Sequence, residues 1–228
     1  MDRRQFNTLC GGLLAGAASL HTTKVQAQTP SPRSALIFNN DKPVNLNDLV
    51  AGEAWIFSYP YRTTPCFLVR LNESAPNSGS WPGGVDMDQS VVAFSAICSH
   101  KMSHPAKPIS HISYRDQPVS FYNKDGEKQT KAGVISCCSE RSVYDPANAG
   151  MVMSGPAPVP LAAIALETDE SGAVYAIGSH GPDQYERFLN AFGFRLALEY
   201  GVSDVRARVG DTSTAIKASE FSAQQVLC

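Results

Sequence analysis

No excess of charge of either sign marks this chain: 19 lysines and arginines against 21 aspartates and glutamates leave a formal net charge of −2 over 228 residues. A balance so close to neutral leaves no electrostatic footprint for nucleic acid. The apolar run at residues 9–20 is too short to cross a bilayer comfortably, because a membrane helix needs roughly 20 residues. There is no internal repeat. Cysteines are few, and setting aside Cys10 near the start leaves Cys66, Cys98, Cys137, Cys138 and Cys228. An odd number means that a purely disulfide framework would leave one thiol over.

What is present is enough apolar material, 43% of residues, to bury a full core in one domain with a terminal extension. Fifteen prolines and seventeen glycines favour a turn-rich, mostly β protein over a helical bundle. The first 27 residues read as a targeting segment. Arg3-Arg4 is a twin-arginine pair, a short apolar run follows, and Val25-Gln26-Ala27 supplies a small-residue cleavage site. The expectation is a periplasmic protein exported by the twin-arginine route, with its mature chain starting near Gln28. Only an uncleaved signal would tether it to a membrane.

Residues 28–50 are polar, carry prolines and show no sustained periodicity, so an extended leading segment is expected there. Short strand signals then follow at 53–59, 66–71, 91–97, 119–122, 133–136, 162–167 and 173–177. Turn chemistry separates them: Pro82-Gly83-Gly84, Asp125-Gly126 and Glu170-Ser171-Gly172. Many short strands argue for an antiparallel sandwich or small barrel. Asn123-Lys124-Asp125-Gly126-Glu127 reads as a hairpin turning on Asp-Gly, either a longer loop or a partner surface. Past residue 178, Tyr185, Phe188, Leu189, Phe192 and Leu196 repeat at helical spacing after Pro182, which is placed in the first turn, and Gly201 can cap the helix. Its aromatic stripe is expected to pack on the β core, with a subunit interface as the other reading. The expected division is a signal at 1–27, a leading segment at 28–50, a β domain at 51–178 and a helix with extension at 179–228. The terminal Cys228 is left to pair with Cys66 or with a partner chain.

Two loops stand apart from this scaffold. Cys98-Ser99-His100-Lys101-Met102-Ser103 carries a thiol and an imidazole two residues apart, so both can face one metal from a tight loop. Cys137-Cys138-Ser139-Glu140-Arg141-Ser142-Val143-Tyr144-Asp145 can close the site from the other side, and Gly155-Pro156-Ala157-Pro158 follows. These boxes resemble the two cluster-binding loops and proline loop of Rieske [2Fe-2S] proteins. The flanks Phe57-Ser58-Tyr59-Pro60, Ser95-Ala96-Ile97-Cys98 and Val143-Tyr144-Asp145-Pro146 are similar to those of the Rieske small subunit of arsenite oxidase. The similarity covers roughly residues 50–178, and the 36 positions from 101 to 136 exceed the family's usual spacing.

The resemblance implies an all-β Rieske-like fold and a [2Fe-2S] cluster. Cys98 and Cys137 stand at the two cysteine positions and His100 at the first histidine position. A second histidine is absent: Glu140 stands in its place, with Cys138 at the family's usual proline, as rival fourth ligand. His104 and His111 are further candidates, read first as ordinary loop histidines. Ser103 and Ser139 stand where the family often has a disulfide, a cross-link worth typically about 2–4 kcal/mol. Ser142 and Tyr144 match the serine and tyrosine whose hydroxyls donate to a bridging sulfide and a ligand sulfur in the family, which raises the potential. Two-histidine centres lie at roughly −150 to +300 mV. A carboxylate at 140 adds negative charge, favours ferric iron and lowers the potential. Losing one titrating imidazole also argues against quinol oxidation.

The implied function is electron transfer between a larger oxidoreductase subunit, molybdenum-containing by analogy with arsenite oxidase, and a small electron carrier, with no substrate turned over by this chain itself. Two other readings stay open: a cluster-free Rieske domain acting as a structural or docking module, and a single metal such as zinc on Cys98, His100, Cys137 and Glu140.

Overall fold

Strands with continuous apolar runs, such as Pro65–Arg70 and Val91–Ser95, bury nearly every residue, which a strand does only where both of its faces are covered. The computed structural model describes residues 31–79 and 81–228, and shows what covers them. The twin-arginine segment and its cleavage site lie outside the described residues. Fourteen strands and two helices occur in the order β1 (Ser34–Ile37), β2 (Ala54–Ser58), β3 (Pro65–Arg70), β4 (Val91–Ser95), β5 (Ile112–Arg115), β6 (Val119–Tyr122), β7 (Lys128–Lys131), β8 (Val134–Cys137), β9 (Ser142–Asp145), β10 (Met151–Ser154), β11 (Ala163–Thr168), β12 (Val174–His180), α1 (Tyr185–Tyr200), β13 (Thr212–Thr214), β14 (Ile216–Lys217) and α2 (Ala218–Phe221).

Eight strands form one sheet in the order β13-β1-β12-β11-β4-β3-β2-β14. All its pairs are antiparallel except β1 with β13. The single segment 212–217 leaves β1 as β13 and joins β2 as β14, so it stitches the two ends of the sheet together. Ser213 Oγ completes the closure, accepting from Ser58 N at 3.1 Å and donating to Ser58 O at 2.8 Å. The result is a nearly closed barrel, the arrangement that removes exposed sheet edges. Phe57, Cys66, Leu68, Ala93 and Ile164 fill one cluster, and the alternating Ile56, Phe67, Val69, Phe94 and Ala163 face another.

That second cluster joins the barrel to a four-stranded antiparallel sheet, β10-β9-β8-β5, whose β8-β9 turn is the second of the two loops, while the first follows β4 of the barrel. Ile112, Ile135, Cys137 and Tyr144 pack there with Phe94 and Leu161. A separate two-stranded ribbon, β6-β7, turns at Asn123–Glu127 with Gly126 at φ 79°, the hairpin expected from Asp-Gly. Among the described residues no helix is long and apolar enough to cross a membrane.

Three expectations need correction. The leading segment is not merely extended: it contributes β1, and a 3-10 turn at Leu46–Asp48 is closed by a capping box with Asn45. Four residues are too few to show a period, and the partners of β1 are beyond position 170. The sheet thus draws strands from both sides of residues 51–178. Helix α1 begins at Tyr185, so Pro182 precedes the first turn instead of occupying it; Asp183 Oδ1 accepts from Tyr185 N at 3.2 Å and organises that approach. At its other end Gly201 adopts φ 63°, the left-handed cap the sequence suggested. The stripe of α1 packs less on the sheet than on the end of the first metal-site loop: Tyr185, Phe188, Leu189 and Leu196 cluster with Ile97, Tyr61 and Met102.

Phe188 is fully buried in this cluster, whereas Phe194 on the outer face of α1 is 82% exposed. Phe188→Ala is expected to cost about 3–5 kcal/mol, and Phe194→Ala within about 0.5 kcal/mol. Urea unfolding followed by circular dichroism measures both, and equal losses would contradict this packing.

Candidate metal centre

The first loop leaves β4 and folds back on itself: Cys98 N donates to Ser103 O and Met102 N to Cys98 O, both at 2.9 Å, with Met102 in a left-handed conformation at φ 58°. The second loop is the turn of the β8-β9 hairpin, with Cys137 opposite Ser142 in register and Arg141 at φ 57°. Gly155 packs its backbone on this turn. A Cβ there would lie 2.5 Å from Arg141 O and 2.6 Å from Ser142 Cα, so only glycine fits.

These loops bring Cys98 and Cys137 together as free, buried thiols. The hydrogen bond from Cys137, the largest effect, pushes the Cys98 thiol down to about 6, and the same bond holds the Cys137 proton more tightly than usual. Tyr144 is completely buried and its hydroxyl lies 3.1 Å from Cys98 Sγ. It also accepts from Ser99 N at 3.1 Å, which leaves its own proton free to point at the sulfur. Burial, ahead of the nearby Cys98, raises the Tyr144 pKa and keeps that proton in place. Ser99, which the sequence reading passed over, ties the loop down by donating Oγ to Val159 O at 2.7 Å.

Beside the thiols, two buried polar atoms have no hydrogen-bond partner: His100 Nδ1 and Ser142 Oγ. Buried polar atoms are nearly always paired, and an orphan points to a group that is not protein. The thiol pair and these two orphans are the donor set that suits a two-iron cluster, one iron on sulfur and the other on imidazole. Among the described residues no three His, Cys, Asp or Glu side chains converge on a single metal position. The single-zinc set of Cys98, His100, Cys137 and Glu140 is therefore not formed.

Glu140 stands at the tip, where its carboxylate pairs with the Lys101 ammonium across the two loops. That hydrogen bond, with the charge behind it, holds Glu140 below the usual carboxylate range. Cys138 is no rival ligand: it forms a disulfide with Cys228, with Cα atoms 5.7 Å apart. Successive residues at the end of a strand face opposite ways, so when Cys137 turns inward Cys138 turns out to the C-terminal tail. The same bond corrects the expectation for Cys228. Cys66 stays a free thiol inside the barrel, its Sγ 3.1 Å from Tyr59 O and its pKa raised by burial. Ser103 and Ser139 meet after all, Oγ to Oγ at 2.8 Å, so a hydrogen bond stands where the resemblance places a cross-link.

His104 belongs to the helix contact. Its Nδ1 lies 2.9 Å from Met102 O, and its ring meets Phe188 and Phe192 edge-on at 4.7 and 5.0 Å. The backbone carbonyl of His111 accepts from Cys138 N at 2.6 Å, next to the second loop.

No family model matches the chain. In sequence it is similar to iodate reductase subunit IdrB of Pseudomonas sp. strain SCT, 29% identical over 182 residues, which span 79% of this chain and 80% of that protein. Among solved structures, the soluble domain of Rieske protein II (soxF) from Sulfolobus acidocaldarius is 27% identical with a TM-score of 0.46, covering 67% of this chain and 80% of the other. The ferredoxin of carbazole 1,9a-dioxygenase from Nocardioides aromaticivorans IC177 is 18% identical with a TM-score of 0.34, covering 59% and 94%. The chain is thus similar to a subunit of a reductase along most of its length, and Rieske proteins are among its structural neighbours.

Burial depresses the pKa of His104, and to a lesser depth that of His180. The unfolded chain therefore binds protons that the folded one does not. Their contribution to stability is complete above pH 6.5 and is lost as pH falls through the depressed folded values. Unfolding free energy measured in urea should decline below pH 6.5, and His104→Phe should flatten that slope, leaving the part due to His180.

Proposed function

We propose that this chain is an electron-transfer subunit of an exported oxidoreductase and holds a [2Fe-2S] cluster between the loops at 98–103 and 137–142. The observation that carries this reading is the pair of free, buried thiols, Cys98 and Cys137, brought together beside the orphaned His100 Nδ1 and Ser142 Oγ. Cys98 and Cys137 would hold one iron; His100 and Glu140 would hold the other. When bound, such a cluster takes up one electron and returns it.

The chain's own residues set the conditions for that exchange. Tyr144 presents a hydroxyl proton to Cys98 Sγ and so favours negative charge on the sulfur. Ser142 Oγ, buried and unpartnered, is a donor in reserve for a second sulfur. Glu140 brings a negative charge to the imidazole side, and Lys101 brings the matching positive one. The Lys101 side chain is 63% exposed, which puts this end of the molecule in reach of a partner.

A larger oxidoreductase subunit is the partner this reading calls for, molybdenum-containing as the family resemblance implies, together with a small electron carrier. Similarity to a subunit of iodate reductase supports a subunit role. Export to the periplasm along the twin-arginine route is part of the same proposal. The Cys138–Cys228 disulfide supports it, because such bonds persist in oxidising compartments and are rare in the cytosol. One observation favours a second reading, a cluster-free docking module: the Glu140 carboxylate already has a partner in Lys101.

Iron and acid-labile sulfide analysis, with an EPR spectrum after dithionite reduction, separates the two. About two irons and two sulfides per chain with a rhombic signal are expected; a colourless protein free of both would overturn the cluster reading. On the cluster-bearing protein, Glu140→Ala is expected to bleach the chromophore. Glu140→His should retain it and raise the reduction potential by on the order of 100 mV, read by spectroelectrochemistry. A potential unmoved by either change would remove Glu140 from the ligand set.

A further inference from the structure

Cys137 is the last residue of β8, and the loop beyond it is reached by a segment that has travelled from the far end of the chain. The C-terminal tail runs alongside residues 106–110, which lead from the first loop into β5, and pairs with them at a parallel bridge between Ser110 and Gln225. Ala223 N donates to Lys107 O at 2.7 Å, Ser110 N to Gln224 O at 2.8 Å and Val226 N to Ser110 O at 2.8 Å. Buried Ser222 donates Oγ to Ala106 O at 2.7 Å, and Arg115 Nη1 reaches Cys228 O at 3.4 Å. The tail ends in the disulfide to Cys138, 90 residues away in sequence.

At the exposed tips of the two loops, Ser103 meets Ser139 and Lys101 meets Glu140. Exposed contacts of that kind hold a loop weakly. The covalent link lies one peptide bond from Cys137, and the Cys138 N–H is fixed at the same time on His111 O.

We propose that the Cys138–Cys228 disulfide is the clamp that positions Cys137, with the C-terminal tail acting as the strap that ties the second loop to the chain leaving the first. Cys138 and Cys228 are positioning residues, acting through Cys137. The role of Cys137 as a ligand rests on the cluster reading, but the immobilisation of its thiol does not.

The test uses the full chain as purified, comparing wild type with the double variant Cys138→Ser, Cys228→Ser, which leaves no stray thiol beside Cys137. Peptide mapping without reductant should first recover the 138–228 linked peptide from wild type; its absence overturns the proposal at once. In cluster-bearing protein the visible absorbance of the variant should bleach in excess EDTA about tenfold faster or more, with a shifted EPR signal. In cluster-free protein, iodoacetamide labelling of Cys137, followed by mass spectrometry, should accelerate about tenfold. Cys66, buried in the barrel, is the internal standard and its labelling should not change. Unaltered rates, or a parallel rise at Cys66 that signals general loosening, overturn the proposal. Adding Ser103→Cys with Ser139→Cys, whose Oγ atoms are 2.8 Å apart in the native chain, should restore the wild-type rate. Should the double variant not fold, this quadruple variant replaces it. It is then expected to fold and match wild type, and failure to do so sinks the proposal.

Discussion

Two thiols buried side by side set the terms for everything around them. Neither Cys98 nor Cys137 could give up its proton alone in an apolar core, since an isolated charge there is strongly disfavoured. Side by side, each tunes the other: the Cys137 thiol makes Cys98 easier to deprotonate, and the Tyr144 hydroxyl leans on the Cys98 sulfur. Bringing two loops close enough for that requires a base that does not flex. The barrel supplies it: β4 delivers the first loop, and the β8-β9 hairpin, packed on the same cluster as Phe94 and Leu161, delivers the second. Closure of the barrel by the segment 212–217 in turn places the C-terminal tail where it can return to the site.

Charge at the tip follows a similar logic of pairing. Glu140 puts a negative charge at the tip of the second loop, and Lys101 stands across from it. An ion pair this exposed adds little to folding. Its consequence is electrostatic and local, a near-neutral rim around the one imidazole of the site. Ser103 and Ser139 likewise keep a contact between the loops without a covalent bond, while a covalent bond stands one residue along, at Cys138.

How legible this was in the sequence depended on range. Strands with continuous apolar runs, β2, β3, β4 and β11, announce themselves locally and were placed within a residue or two. The Asp125-Gly126 hairpin and the stripe of α1 are equally local signals. β1, β5, β7, β9, β10, β13 and β14 were not foreseen: each is short, β1, β13 and β14 owe their existence to partners far along the chain, and β7 buries nothing at all. At the site, a thiol and an imidazole two residues apart and a later cysteine loop drew attention to Cys98, His100 and Cys137, whereas the part given to Tyr144 came from the family resemblance. The fate of Cys138 escaped because a pairing across 90 residues leaves no local trace. The odd count of cysteines did hold the clue: with two thiols committed to the site, three remained, and one of the three had to stay free.

Rigidity in the two loops comes from different sources, and the difference matters for electron transfer, where ligands should stand in place before and after the charge arrives. The first loop is held by its neighbours' side chains and backbone. Tyr144 accepts the Ser99 N–H, Ser99 grips Val159 O, and Met102 rests on α1 beside His104 and Phe188. None of these contacts is covalent, but the Tyr144–Ser99 bond is buried and the others are at least partly so, so opening the loop strands polar groups away from water. The second loop is a tight hairpin that buries less at its turn, with Ser139 and Glu140 in or near solvent. There backbone contact at Gly155 and the bond to Cys228 replace burial as the restraint. Burial on one side and a covalent strap on the other reach the same end, two sulfurs that keep their separation.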